Sequence, residues 1–189
     1  MKRYEIRWGE LVALEATLDE IAQHATALSY GYNEPHNAEL MGHTFAISSA
    51  EVIENYRDNL ADGMRAFLLF DGGALAGDAD LRGIRDGTAE FAFMIANPSA
   101  QGKGLGTRFA LMLHAWGFRD LALAHIYASV VPHNTASRRV FEKLGYVDDA
   151  SEAARAYADE PGDVTLALAR DVFERLHADT LAQIRSRVR

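Results

Sequence analysis

Gln101-Gly102-Lys103-Gly104-Leu105-Gly106 is the stretch whose reading decides the fold. Three glycines in six residues stand between an apolar run, 89–96, and a helical pattern that begins at Leu105. Glycine lets backbone N–H groups come close to a ligand. The start of a helix adds N–H donors without intrahelical acceptors and a partial positive charge. Together they make a seat for an anion, best suited to phosphate. The helix dipole contributes only about 0.3–1 kcal/mol at an exposed site, so convergent hydrogen bonds must supply most of the grip. Two known phosphate motifs fail here. A P-loop needs G-x-x-x-x-G-K-[ST], but Lys103 precedes the second glycine. A dinucleotide fingerprint needs G-x-G-x-x-G, and Thr107 occupies the third glycine's place. Alone, such a cluster reads first as a flexible turn into a helix.

The flanks give the loop its context. Downstream, Leu105, Phe109, Met112 and Trp116 form a helical stripe. The segment 125–131 is β-branched and apolar, and a shorter helix from Asn134 to about Leu144 is closed by Gly145. Upstream, three strand-like runs, 64–70, 75–82 and 89–96, are joined by the hairpin signals Asp71-Gly72-Gly73 and Asp86-Gly87. In the middle run Leu75, Ala79 and Leu81 alternate with Asp78, Asp80 and Arg82, which predicts one solvent-facing side. Further out, 4–8 reads as a strand, and Leu11, Leu14, Leu18 and Ile21 fall at helical spacing. The segment 29–43 reads as a loop. Ser48 and Glu51 make a capping box for a helix carrying Val52, Tyr56 and Leu60 inward. A last strand, 164–168, precedes a helix capped by Asp171 and carrying Phe173, Leu176 and Ile184. An antiparallel meander followed by a β-α-β unit predicts a mixed α/β fold: one sheet with helices on its faces, as a single domain over 1–189.

Composition narrows the function classes. The 189 residues include no cysteine, which removes disulfides, thiolate zinc sites and cysteine nucleophiles. Nineteen Lys and Arg against 27 Asp and Glu give a net charge of −8, unsuited to general DNA or RNA binding and attractive to cationic amines. No unbroken apolar stretch suggests a signal peptide or a membrane span, so a cytoplasmic location is expected. The seven histidines form no His-x-x-x-His pair or carboxylate cluster, and no metal is expected.

The loop then gains a family resemblance. Gln101-x-x-Gly104-x-Gly106 resembles the [QR]-x-x-G-x-[GA] signature of the GNAT superfamily of N-acetyltransferases. Asn134-x-x-Ser137 and Phe141-Glu142-Lys143-Leu144-Gly145-Tyr146 resemble that family's N-x-x-S…F-x-K-x-G-[FY] segment. The tail 163–171 is similar to the branch that acetylates the N-termini of ribosomal proteins. The resemblance implies a central mixed, mostly antiparallel sheet flanked by helices, with a β-α-β coenzyme A site. It implies that Gln101, Gly102, Lys103, Gly104, Leu105, Gly106 and Thr107 hold the pyrophosphate of acetyl-CoA, a co-substrate. It further implies that Phe93, Met94 and Ile95 pair with the pantetheine arm, that Asn134 and Ser137 meet it, and that Phe141 packs beside it. Many members carry a tyrosine acid where this chain has Phe141, so that role does not transfer.

Acetyl transfer to an amine needs a base, because an ammonium has no lone pair. It also needs a donor to the thioester carbonyl. Glu90 opens the apolar strand eleven residues before Gln101, the spacing of the glutamate base in the family's histone-acetylating branch. Burial there raises a carboxyl pKa towards neutrality, as a base requires. The rival reading makes Glu90 a solvated strand end. Asn134 is equally a helix N-cap, and Tyr146 and Ser137 are candidate proton donors to the thiolate. Tyr30, Tyr32 and Glu34 are candidate acceptor contacts, beside the plainer reading of an aromatic surface loop. The expected partner is a small-molecule or peptide amine, with a homodimer as an option and no nucleic acid or membrane. Two functions stay open: an N-acetyltransferase using direct transfer, or the same fold holding acyl-CoA without catalysis.

Overall fold

The computed structural model describes residues 2–42 and 44–189. The chain runs β1 (Tyr4–Trp8), β2 (Leu11–Glu15), α1 (Leu18–Asn33), α2 (Pro35–Leu40), α3 (Ser49–Ala61), β3 (Arg65–Asp71), β4 (Ala74–Arg85) and β5 (Thr88–Ile95). It continues through α4 (Leu105–Arg119), β6 (His125–Val130), α5 (Thr135–Leu144), β7 (Val147–Asp148) and α6 (Glu152–Arg155) to β8 (Val164–Ala169), α7 (Arg170–Leu181) and β9 (Arg185–Val188). The strands form one sheet in the order β7-β8-β6-β5-β4-β3-β2-β1-β9. Every pairing is antiparallel except β5 with β6, the two strands that α4 connects. The mixed sheet and its β-α-β unit are those the sequence predicts.

Strand alternation divides the core in two. Ala79, Leu81, Phe91 and Ile95 join Phe109, Met112 and Trp116 of α4 and Phe173 of α7 on one face. Ala66, Leu68 and Met94 meet Ile21, Ala25 and Leu28 of α1 and Val52 and Tyr56 of α3 on the other. A smaller cluster on this second face joins Tyr127, Ala154 and Tyr157. The capping box at Ser48 and Glu51 is formed, and Gly145 closes α5.

Four sequence readings are corrected. Leu11 and Leu14 lie in β2, where Leu11, Ala13 and Glu15 are buried at a period of two; α1 starts only at Leu18, behind its own capping box at Thr17 and Glu20. The three-residue spacing of leucines had masked the strand. The segment 29–43 is helical: α1 runs to Asn33 and α2 follows, while His43 at its end lies outside the described residues. The polar side of β4 is not uniformly wet: Tyr32 of α1 and Tyr56 of α3 reach over Asp78 and leave it only 3% exposed, while Asp80 and Arg82 stay partly exposed. At the C-terminal end, Leu176 is 56% exposed, Asp171 stands inside the first turn behind the cap residue Ala169, and Ile184 follows the helix. The short elements β7, α6 and β9 lack the apolar periodicity that would have announced them.

Candidate active site

The parallel ladder between β5 and β6 ends at Glu90 and Tyr127. Beyond that register β6 turns wholly to β8, and the β6 side of β5 from Phe91 to Ile95 has no strand partner among the described residues. A cleft of about 220 Å³ opens where the strands part. Phe93, Met94, Ile95, Gln101, Gly102, Gly104, Leu105, Gly106, Thr107, Asn134 and Ser137, all expected at the coenzyme, line it. Lys103 is exposed beside the cleft rather than in its lining. Phe141 also leaves the lining: it is buried against Phe91, Phe93 and Tyr146 in an aromatic cluster.

Gly104 is the N-cap of α4, held in the left-handed region at φ 80 with no side-chain cap. The first helical bond of the turn is Arg108 N–H to Gly104 O, at 3.0 Å. The N–H groups of Leu105, Gly106 and Thr107 therefore begin a helix beside the cleft with no capping side chain. Arg139 and Lys143 of α5 line the opposite wall, while Arg108 turns away to Glu10 and the Trp8 ring. An uncapped helix start facing two cations fits an anionic group such as a pyrophosphate.

Gln101 does not point its amide at that seat. Its Nε2 donates to Asn37 Oδ1 at 2.6 Å and to Ile95 O at 3.0 Å. Asn37 in turn donates to Gly31 O at 2.8 Å and Ile95 O at 3.3 Å, and is buried. These two amides pin the glycine loop, the end of β5 and α2 together. Asn37 escaped the sequence reading because its segment was taken for a loop; the helix-start signal Glu34-Pro35 was the clue. Replacing Asn37 with Ala strands several buried polar groups, at a cost of about 1–3 kcal/mol. The melting temperature is expected to fall by roughly 3–10 °C and coenzyme A affinity to weaken with it, as scanning fluorimetry and calorimetry would measure.

Asn134 serves as the N-cap of α5, accepting from Ser137 N at 2.9 Å, and also donates to Leu40 O at 2.9 Å. Tyr146 hydrogen-bonds His114 Nε2 at 2.7 Å. Because His114 Nδ1 lies 2.7 Å from the Ala110 carbonyl, Nδ1 carries the proton and Nε2 accepts from the Tyr146 hydroxyl. Burial pushes His114 down to about 3, so the ring stays neutral and the Tyr146 proton is committed to it.

Glu90 lies on the other face of the sheet, where α3 and the segment 156–159 leave a trough of about 280 Å³. Its neighbours there include Met64, Arg82, Tyr157 and Asp159. Its side chain is 8% exposed, and Arg82 Nε lies 3.7 Å away. Desolvation raises its pKa to about 7, against the pull of Arg82. This rejects the solvated strand end. Tyr32 reaches Asp78 with its hydroxyl, whereas Tyr30 is 74% exposed on the outer side of α1. Glu34 caps α2, accepting from Asn37 N at 3.1 Å. Among the described residues no group of three His, Asp or Glu could hold a metal ion, and no helix is long and apolar enough to cross a membrane.

Residues 7–147 match the acetyltransferase (GNAT) domain family. The chain belongs to that family. It is 29% identical over 130 residues to the spermidine N(1)-acetyltransferase of Escherichia coli, a match covering 67% of this chain and 64% of that protein. It is 38% identical over 64 residues to the human alpha/beta-tubulin-N-acetyltransferase 9, covering 34% of this chain and 31% of that one. The chain thus spans less than two thirds of the length of these curated relatives. Among solved structures it superposes on Mycobacterium smegmatis RimJ in complex with CoA-disulfide, with a TM-score of 0.70 at 16% identity over 97% of this chain and 96% of that one. It superposes equally on an aminoglycoside acetyltransferase in complex with parmomycin and acetyl-CoA, with a TM-score of 0.70 at 22% identity over 91% and 96% of the two chains. At these identities the likeness is one of fold.

Proposed function

We propose that this GNAT-family chain transfers an acetyl group from acetyl-CoA directly to a primary amine, with Glu90 as the base. The observation that carries this reading is the juxtaposition of two cavities across β5. One has an uncapped helix start and two cations; the other holds a buried carboxyl with a pKa of about 7. Acetyl-CoA supplies an activated thioester. The loop 102–107 with Arg139 and Lys143 would hold its phosphates, and Asn134 with the unpaired side of β5 would line its arm. Glu90 accepts the ammonium proton, directly or through a water, which frees the lone pair for attack. The thiolate leaves without help from Tyr146, whose proton His114 holds; Ser137 and Thr107 bring hydroxyls to the cleft lining. A thiol pKa near 8.5 makes that departure tolerable at neutral pH.

The sequence relative named for spermidine favours a soluble cationic amine. The ribosomal N-terminus branch is supported by the RimJ likeness in fold alone. The test is thiol release from acetyl-CoA against a panel of monoamines, diamines, amino sugars and N-terminal peptides, beside calorimetric titration with acetyl-CoA. Binding with amine-dependent thiol release is expected. Binding without release would leave an acyl-CoA-holding module, and no binding would end both readings.

A further inference from the structure

On the α1/α3 face of the sheet, β4 and β5 carry carboxyl groups in a row. Asp78 and Asp80 stand two residues apart, so they share a face about 7 Å apart along the strand. Glu90 follows on β5, opposite Arg82 in register. Asp159 closes the far end, 3.9 Å from Arg82 Nη1. Arg82 faces Asp80, Glu90 and Asp159 together. The other cation lining the trough, Arg85, is drawn off over the Tyr157 ring, 4.2 Å from its centroid. One guanidinium therefore serves three carboxyl groups, and among the described residues Asp78 is met only by the hydroxyls of Tyr32 and Tyr56 on one of its oxygens.

The carboxyl oxygens outnumber their donors. Among the described residues Asp78 Oδ1 is buried and accepts no hydrogen bond, and Asp80 Oδ1 has only the ion-pair contact of Arg82 Nε at 3.0 Å. Asp78 is 3% exposed, and Glu90, with its side chain 8% exposed, has only the distant Arg82 contact among the described residues. A buried acceptor without a donor costs about 1–3 kcal/mol, so a row of carboxyl groups that share one guanidinium calls for a donor from outside. The floor between them is also open. Ala92 lies opposite Asp80, and its methyl group leaves Asp80, Arg82 and Ala92 partly exposed although β4 and β5 are inner strands.

We propose that this row recognises an acceptor bearing two ammonium groups on a short chain, one at Glu90 and the other at Asp80 and Asp78. The proposal rests on the reading of the Glu90 trough as the acceptor side. An ammonium brings three donors and a compact charge, which matches carboxylate oxygens short of donors. A peptide with one N-terminal ammonium answers one end of the row and leaves the other end unpaired.

The test is calorimetric binding of 1,4-diaminobutane and of 1-aminobutane to the protein with coenzyme A present. The diamine is expected to bind at least tenfold more tightly. In Asp80→Asn that ratio is expected to fall towards one, with coenzyme A titration reporting an intact fold; Asp78→Asn is the second variant should the first not fold. Equal affinity of the two amines for the wild type overturns the proposal. So does a ratio that survives in the variant, or an N-terminal peptide that binds as tightly as the diamine. The readout needs no turnover. Diamine binding without thiol release would sink the transferase reading and leave the recognition row standing.

Discussion

Glu90→Gln is expected to reduce amine-dependent thiol release by about 10²–10⁴-fold at pH 8 and, in the same protein, to raise thermal stability. Both effects have one cause. Burial lifts the Glu90 carboxyl from an ordinary 4.5 to about 7 in the folded chain. A raised folded-state pKa means that the folded protein holds this proton more tightly than the unfolded one. The stability from this group is complete below the ordinary carboxylate range and is lost as pH rises from about 4.5 through about 7. Above that window the wild type carries a buried carboxylate that glutamine removes, a gain on the order of 2–3 kcal/mol at pH 8. Melting curves should show the variant roughly 4–10 °C more stable at pH 8, with the two proteins converging at pH 4.5. For the wild type, kcat/KM should rise about tenfold per pH unit below 7 and level above it, because the base must be ionised. Unchanged turnover in the glutamine variant would remove Glu90 from the chemistry, while the stability difference would still report its burial.

Gly77→Ala should unfold or nearly unfold the protein at physiological temperature. Gly77 pairs with Ile95 where β4 meets the end of β5, and its φ is 158. A methyl group there would fall on the Met94 carbonyl, with the Met94 carbon at 3.0 Å and Ile95 Cα at 3.1 Å. These are backbone atoms in the middle of a sheet and have nowhere to go. Relief requires β4 to lift from β5, which breaks the 2.8 Å bond from Ala96 N to Ala76 O and moves the cleft-lining Met94 and Ile95. Overpacking costs about 1–3 kcal/mol when side chains can yield and more when backbone must. A melting temperature lower by 10 °C or more, or insoluble expression, is the expected result. A variant melting within 2 °C of wild type would show that the strands slide apart freely at this point.

Much of the proposed donor side was legible in the residues because it is local. A glycine loop, the helix that follows it and the cap at Asn134 are all set by neighbours in sequence, and eleven of the thirteen residues expected at the coenzyme line the cleft. Gln101 belongs to that set, yet its amide is spent on Asn37 and Ile95, sixty-four and six residues away. The hydrophobic stripe of α4, the two tight hairpins and the β-α-β order likewise follow from period and turn chemistry, and they fix a mixed sheet.

The acceptor side was decided by packing. Alternation along β4 says which residues share a face but not whether a helix will cover it, so Asp78 reads as solvated until α1 and α3 are laid over it. Burial then changes the chemistry of the same letters: it raises Asp78 to about 6 and Glu90 to about 7, and leaves Asp78 Oδ1 without a donor among the described residues. The sequence by itself determined the meander followed by a β-α-β unit and the glycine turn into a helix at Gln101 to Gly106, because both arise from short-range backbone geometry. Only the tertiary structure decided which carboxyls lose water, because desolvation depends on what distant segments cover.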